Sequence, residues 1–204
     1  MLLRKRTTID VSPWTVVLLA VFIAAASPVV LASLLLAALC HELGHYLLLR
    51  CFGAQVETVR IGIFGAEMCL SEWPALSYGR EMLAVAAGPA MNVVLALLMA
   101  WGGQWLDKLY VFSGAQLILG LYNLLPVRPL DGGTLVWLAL SWRFDPFAAD
   151  RGMQWLGTVT AALLLLLGVW LWQKTDSPYL MLASAGLSKP AWKEKRLVKG
   201  RKRR

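Results

Sequence analysis

The only two histidines of the chain lie four residues apart, in the segment His41-Glu42-Leu43-Gly44-His45. On an α-helix, residues four apart share a face, so both imidazoles can bind one metal ion. Glu42 is offset around the helix, where it can take a proton from a metal-bound water without occupying a coordination position. Zinc lowers the pKa of such a water towards neutrality and so creates a nucleophile. The segment therefore predicts a hydrolytic zinc centre on a helix.

A catalytic zinc ion usually has three protein ligands and one water, so a third ligand must come from elsewhere in the chain. The best candidate is Asp131, near the end of the segment NLLPVRPLDGG that begins at Asn123. The two prolines of this segment interrupt a helix, and its glycine pair permits a tight turn that can aim the carboxylate. An aspartate here can also cap a helix or close a turn, and its position alone does not decide between these roles.

The composition indicates that this centre lies in a membrane. Hydrophobic residues make up 58% of the 204 residues and charged residues 16%, against about a quarter charged in soluble domains. Several apolar runs approach the roughly 20 residues that cross a bilayer as a helix. The runs are Trp14 to Ala26, Val29 to Leu49, Met82 to Trp101, Leu109 to Leu125 and Trp155 to Trp172. The fold class predicted is an all-α polytopic membrane protein.

About six transmembrane helices are expected, because the basic ends predict an even number of spans. The fifth would be a short apolar piece, Thr134 to Trp142, which is too short to cross unless it continues into residues 144–147. Residues 143–153 are expected to form a polar loop, and residues 180–187 a short interfacial piece. Residues 51–80 contain glycines and alternating apolar residues, which predict a small membrane-associated β-hairpin between the second and third helices.

The formal net charge of +8 comes largely from the two ends of the chain. Arg4 to Arg6 precede the first apolar run, and nine lysines and arginines lie between Lys189 and Arg204. Such residues usually mark the cytoplasmic side and bind anionic lipids. We therefore predict cytoplasmic N- and C-termini and a lipid-binding basic tail, and we expect no nucleic acid as a partner. Cys40 is interpreted as a packing residue, because it points about 100° away from its neighbour His41.

The depth of the histidine pair argues for a function. His41 lies nine residues before Arg50, which places it roughly 13 Å into the membrane at 1.5 Å per residue. Ionisable groups at that depth cost several kcal/mol and are usually functional. The alternative is that these side chains are polar groups satisfied within a helix bundle.

Three motifs occur in a specific order: His-Glu-x-x-His at 41–45, Gly-Pro-Ala-Met-Asn at 88–92, and Asn-x-x-Pro followed by Leu-Asp-Gly at 123–132. Together they resemble the site-2 protease family of intramembrane zinc metalloproteases. The chain is most similar to the stage IV sporulation protein FB branch, whose compact members have no inserted PDZ domain. The resemblance covers roughly residues 29–140, which would be the catalytic core.

The resemblance implies that His41, His45 and Asp131 bind one catalytic zinc ion and that Glu42 is the general base. It further implies that residues 51–80 correspond to the membrane-associated strands of the family, which can pair with an unwound substrate.

Asn92 and Asn123 are also implied to lie near the site. There each can donate a hydrogen bond to the substrate backbone or to the oxyanion that develops during hydrolysis. For Asn92 the alternative is a helix-packing contact beside Gly88.

The function expected is that of an intramembrane zinc metalloendopeptidase, which cleaves a membrane-bound substrate within or near its transmembrane segment in a bacterial cell membrane. Residues 1–188 would form a single domain and residues 189–204 the tail, without the CBS domain often found in the sporulation branch. A role in sporulation is therefore less supported than the protease family, and a regulatory membrane partner is plausible. The alternatives are a non-hydrolytic zinc transporter or sensor, which leaves Glu42 unexplained, and an inactive protease-like scaffold.

Overall fold

The computed structural model describes residues 8–13, 15–16, 20, 23, 27–62, 65–70 and 76–175. Most of the predicted first span lies outside the described residues, and so do the interfacial piece at 180–187 and the basic tail. The described elements are mainly helical. In chain order they are β1 (Thr8–Val11), α1 (Pro28–Cys51), β2 (Val56–Gly62), β3 (Gly65–Leu70), α2 (Tyr78–Gly102), α3 (Lys108–Asn123), α4 (Asp131–Arg143) and α5 (Pro146–Thr175).

Three of the described helices are long and apolar enough to cross a membrane: Pro28–Cys51, Tyr78–Gly102 and Pro146–Lys174. By length and composition they are candidates for the predicted second, third and last spans. Helix α3 has 16 residues and α4 has 13, so at 1.5 Å per residue they are about 24 and 20 Å long. Both are shorter than the hydrocarbon core of about 30 Å. Three of the six predicted spans therefore have candidate helices within the described part of the chain, and the total of six stays a prediction.

The polar loop predicted at residues 143–153 is wrong, because α5 already begins at Pro146. Helix α4 ends at Arg143, and the backbone of Phe144 is extended, so the fifth piece does not continue to Phe147. The carboxylate of Asp145 accepts a hydrogen bond of 3.0 Å from the backbone N–H of Phe147. An aspartate followed by a proline is a strong helix-start signal, and here it outweighs the polarity of the residues that follow.

The predicted β-hairpin is confirmed and is part of a larger sheet. Strands β2 and β3 pair antiparallel, and β1 pairs parallel to β2, which gives the order β1-β2-β3. Strand β1 was not predicted, because its residues lead directly into an apolar run. The hydroxyls of Thr8 and Thr58 lie 2.9 Å apart across the parallel pair.

The sheet packs against the end of α1 and the start of α2. Their shared core consists of Leu49, Ala54, Val56 and Ala84, with Phe52, Val59, Met68 and Leu76 packed around it. Burial of these apolar side chains fixes the C-terminal part of α1 against α2. This is the part of α1 that carries the histidine pair.

The chain divides into two compact units at the Leu121–Tyr122 bond. Within the described residues, the first unit contains the sheet, α1, α2 and most of α3. Helices α1 and α2 approach closely in it, since a Cβ at Gly44 would lie 2.6 Å from the carbonyl oxygen of Ala87. The second unit contains α4, α5 and the segment before α4, with Val127 and Leu130 in its core.

Candidate metal centre

The two histidines face one another on α1. Their Nε2 atoms are 3.1 Å apart, and their rings are nearly perpendicular, with centroids 4.7 Å apart. His41 is buried, with 5% of its surface exposed, and His45 is partly buried. The spacing of four residues therefore brings both imidazoles to one point, as the sequence predicts.

The hydrogen bonds of the two rings define their tautomers. Nδ1 of His45 lies 2.8 Å from the carbonyl oxygen of Ala84, which can only accept, so Nδ1 carries the proton. Nδ1 of His41 lies 2.8 Å from Oδ1 of Asn92. The Asn92 amide is oriented by Ala37, whose carbonyl oxygen accepts from Nδ2 at 3.1 Å. Oδ1 therefore faces His41, and Nδ1 of His41 is also the donor.

When both rings are neutral, the two Nε2 atoms present lone pairs to each other. Two acceptor nitrogens at 3.1 Å repel unless a cation lies beside them. Two nitrogens bound tetrahedrally to zinc at about 2.05 Å would be about 3.3 Å apart. The observed separation is close to that value. The pair is therefore preorganised for a metal ion.

Gly88 on α2 leaves the space that the two rings occupy. A Cβ built there would lie 2.5 Å from Cε1 of His45 and 2.9 Å from Nε2 of His41. These distances are shorter than any normal contact of a methyl group. A side chain at this position would displace the metal-binding edges of both histidines.

Asp131 is the first residue of α4 and follows the N-cap residue Leu130. The glycines after it are needed for packing within the second unit. A Cβ at Gly132 would lie 2.6 Å from the carbonyl oxygen of Leu125, and one at Gly133 would lie 2.6 Å from that of Val127. The segment before α4 thus folds closely onto the first turn of the helix, and this fixes where Asp131 lies.

The possible ligand atoms of His41, His45 and Asp131 all lie within 4.8 Å of one another. Two imidazole nitrogens and one carboxylate oxygen form a donor set typical of catalytic zinc, with a fourth position left for water. The cluster fits a zinc site. Asp131 also lies at the N-terminus of α4, where the helix dipole favours negative charge.

Glu42 follows His41 on α1 and is partly buried. Its Oε2 atom is shielded from solvent. Because successive helical residues are rotated by about 100°, Glu42 is offset around α1 from His41. A carboxylate shielded beside a metal site can act in proton transfer.

The two predicted asparagines differ in their surroundings. Asn92 is completely buried, and its amide group contacts His41, Ala37 and Gln116. Its observed contacts thus fix the position of the His41 ring. Asn123 is the last residue of α3 and is buried, and its predicted role towards the substrate stays a prediction.

Gln116 was missed in the sequence. It belongs to none of the three motifs, although it is a polar residue in the middle of the apolar helix α3. That position in the helix was the signal that could have indicated it.

Comparison with known proteins agrees with this fold. Residues 102–167 match the family model "Peptidase family M50". The chain is 34% identical over 148 residues to the putative zinc metalloprotease Rip3 of Mycobacterium tuberculosis, covering 67% of this chain and 37% of the relative. It is 32% identical over 146 residues to stage IV sporulation protein FB of Bacillus subtilis, covering 69% and 49%.

The solved structure of the site-2 protease from Methanocaldococcus jannaschii is also similar, with a TM-score of 0.71 and 22% identity. The match covers 98% of this chain and 95% of that one. The architecture is thus a site-2 protease fold. The chain spans 37% and 49% of the length of the two relatives from Mycobacterium and Bacillus. Residues 102–167 thus match a peptidase family M50 domain, and the named relatives and the shared fold confirm the resemblance to the site-2 protease family seen in the motifs.

Proposed function

We propose that the protein is an intramembrane zinc metalloendopeptidase that hydrolyses a peptide bond within or near the transmembrane segment of a membrane-bound substrate. The observation that carries this proposal is the cluster of His41, His45 and Asp131, whose ligand atoms lie within 4.8 Å of one another. Two of these residues lie on a helix long and apolar enough to span a membrane. The names of the relatives, which include putative zinc metalloproteases, support the same activity.

His41, His45 and Asp131 would hold the ion. When bound, zinc supplies a Lewis acid that polarises the scissile carbonyl and activates water. Glu42 takes the proton of the attacking water and returns it to the leaving amine. Asn92 accepts a hydrogen bond from Nδ1 of His41. The proton therefore stays on Nδ1, and the lone pair of Nε2 is available to the metal. Asn123 is proposed to donate a hydrogen bond to the substrate or to the oxyanion.

A transmembrane helix has its carbonyl groups hydrogen-bonded internally, so a substrate must unwind before it can be cleaved. Strands β1 and β3 are the edges of the described sheet, and an edge strand can pair with an extended peptide. The sheet packs on Ala84, and the carbonyl oxygen of Ala84 accepts the hydrogen bond from His45. Pairing at the sheet would therefore hold the unwound segment near the metal centre.

The remaining parts of the proposal concern the setting of the enzyme. We place it in a bacterial cell membrane with both termini in the cytoplasm and the cleavage site near the cytoplasmic face. Residues 1–188 form the protease domain, and the basic tail at 189–204 binds anionic lipids. A membrane partner regulates access of the substrate. A zinc transporter or sensor is not favoured, because it would have no use for Glu42 beside the ligands.

The test is hydrolysis by the purified full-length protein, reconstituted with a candidate substrate that has one transmembrane helix. Glu42→Gln should retain zinc and lose about 100-fold or more of the rate, since general acid–base catalysis contributes about 10²–10⁴-fold. Asp107→Asn is the control, because it neutralises an exposed carboxylate in the turn between α2 and α3, outside the sheet and the histidine pair. Equal rates for Glu42→Gln and the wild type would refute the mechanism.

A further inference from the structure

Gln116 is a polar side chain at the centre of the first compact unit. It lies on α3 among mainly apolar residues, and none of its surface is exposed. Its Oε1 atom accepts a hydrogen bond of 2.7 Å from Nδ2 of Asn92. Burial of an amide is costly unless its polar atoms are paired. We therefore expect the buried amide of Gln116 to have a role besides packing.

The hydrogen bonds connect Gln116 to a candidate metal ligand. His41 donates through Nδ1 to Asn92, and Asn92 donates through Nδ2 to both Gln116 and Ala37. Since the carbonyl oxygen of Ala37 can only accept, the Asn92 amide has one possible orientation. The atom of Gln116 that faces Asn92 must then be its oxygen. The chain of contacts runs from α3 through α2 to α1.

Ala37 and Gln116 occupy the two N–H bonds of the same amide. Together with the contact of Oδ1 to His41, these two contacts give every polar atom of the Asn92 side chain a partner and define the plane of its amide. That plane determines where Oδ1 meets His41. Outer partners of this kind orient the imidazole and select its tautomer.

We propose that Gln116 is a positioning residue of the metal centre. It fixes the Asn92 amide, and through it the orientation of His41, without contacting the metal or the substrate. The inference rests on the proposed zinc site and adds a third helix to the structure that supports it. The Nε2 atom of Gln116 is buried and has no hydrogen-bond partner among the described residues. The contact of Oε1 with Asn92 is therefore the side-chain hydrogen bond on which the proposed role depends.

The expected effect is a loss of metal affinity. Changes in outer partners that touch a ligand directly typically cost about 10–100-fold in affinity or activity. Because Gln116 acts through one further bond, Gln116→Met should weaken zinc binding about tenfold. Met has nearly the same length and cannot replace the acceptor. Gln116→Glu keeps an acceptor oxygen at the same place and should bind zinc more tightly than Gln116→Met does.

Ser113→Ala is the matched control. Ser113 lies one turn before Gln116 on α3, and its hydroxyl donates to the carbonyl oxygen of Ala96 on α2 at 2.8 Å. The control thus removes a partly buried hydrogen bond between the same two helices, one turn away from Gln116. Its zinc affinity should equal that of the wild type.

Zinc affinity is measured on full-length protein in detergent by competition with a chelator, and the absorption bands of bound cobalt report ligand geometry. Melting of the metal-free protein identifies variants that fold, and Gln116→Leu replaces Gln116→Met if the latter does not fold. Weaker binding and a shifted cobalt spectrum for the apolar variant alone would support the inference. Unchanged binding by that variant, or an equal loss in Ser113→Ala, would overturn it. A folded wild type that binds no zinc would instead refute the proposed function.

Discussion

Replacement of Gly88 by alanine places one methyl group against the two histidines. The added Cβ would lie 2.5 Å from Cε1 of His45 and 2.9 Å from Nε2 of His41. A normal van der Waals contact needs about 3.4 Å or more, so one or both rings must move by up to about 1 Å. A misplacement of about 1 Å can cost about 100-fold in rate. We expect a loss of about this size in hydrolysis, together with weaker zinc binding.

Gly88→Ala should not unfold the protein through its backbone. Gly88 lies inside α2, where alanine is favoured over glycine by about 1 kcal/mol. The loss should therefore appear in zinc competition and in cleavage of a reconstituted transmembrane substrate, with circular dichroism unchanged. Gly114→Ala in α3 is the control, because a Cβ there meets no atom within 4 Å. Wild-type zinc affinity and activity in Gly88→Ala would refute the geometry of the site.

Three further predictions concern Asn92, Trp137 and the basic tail. Asn92→Leu should weaken zinc binding by about 10–100-fold in a chelator competition, because the Nδ1 proton of His41 loses its acceptor; binding as tight as in the wild type would contradict this role. Trp137→Phe removes the indole donor to Asp150 and should lower the free energy of unfolding by about 1 kcal/mol in chemical denaturation, while zinc affinity stays constant. Deletion of residues 189–204 should reduce binding to anionic vesicles but leave hydrolysis in detergent intact, and loss of hydrolysis would place the tail in the protease domain.

Most of the metal centre could be predicted from the sequence, because its main signal is the spacing of two residues on one helix. The spacing of His41 and His45 on one helix needs only the period of the helix to bring two nitrogens together. Asp131 is distant from both histidines in sequence, and its assignment as the third ligand was supported by the order of the three motifs. The structure also shows that α2 approaches the two histidines closely at Gly88, which residue spacing cannot predict.

The less local features were harder to predict. Strand β1 pairs with β2 across about fifty residues, at Thr8 and Thr58, and nothing in its short sequence distinguishes it from the start of an apolar run. The start of α5 was missed because polarity was given more weight than the Asp145-Pro146 signal. Gln116 acts through Asn92, and such contacts depend on packing between helices that composition does not reveal.

X-ray absorption spectroscopy of the purified zinc-loaded protein tests the metal centre most directly. We predict a first shell of nitrogen and oxygen atoms at about 2.0–2.2 Å that includes two imidazoles. His45→Ala should lose one imidazole from this shell, and Asp131→Ala should lose an oxygen ligand but keep both imidazoles. A shell that contains sulfur at about 2.3 Å, which would indicate a thiolate such as that of Cys40, would contradict the assignment. So would a shell that Asp131→Ala leaves unchanged.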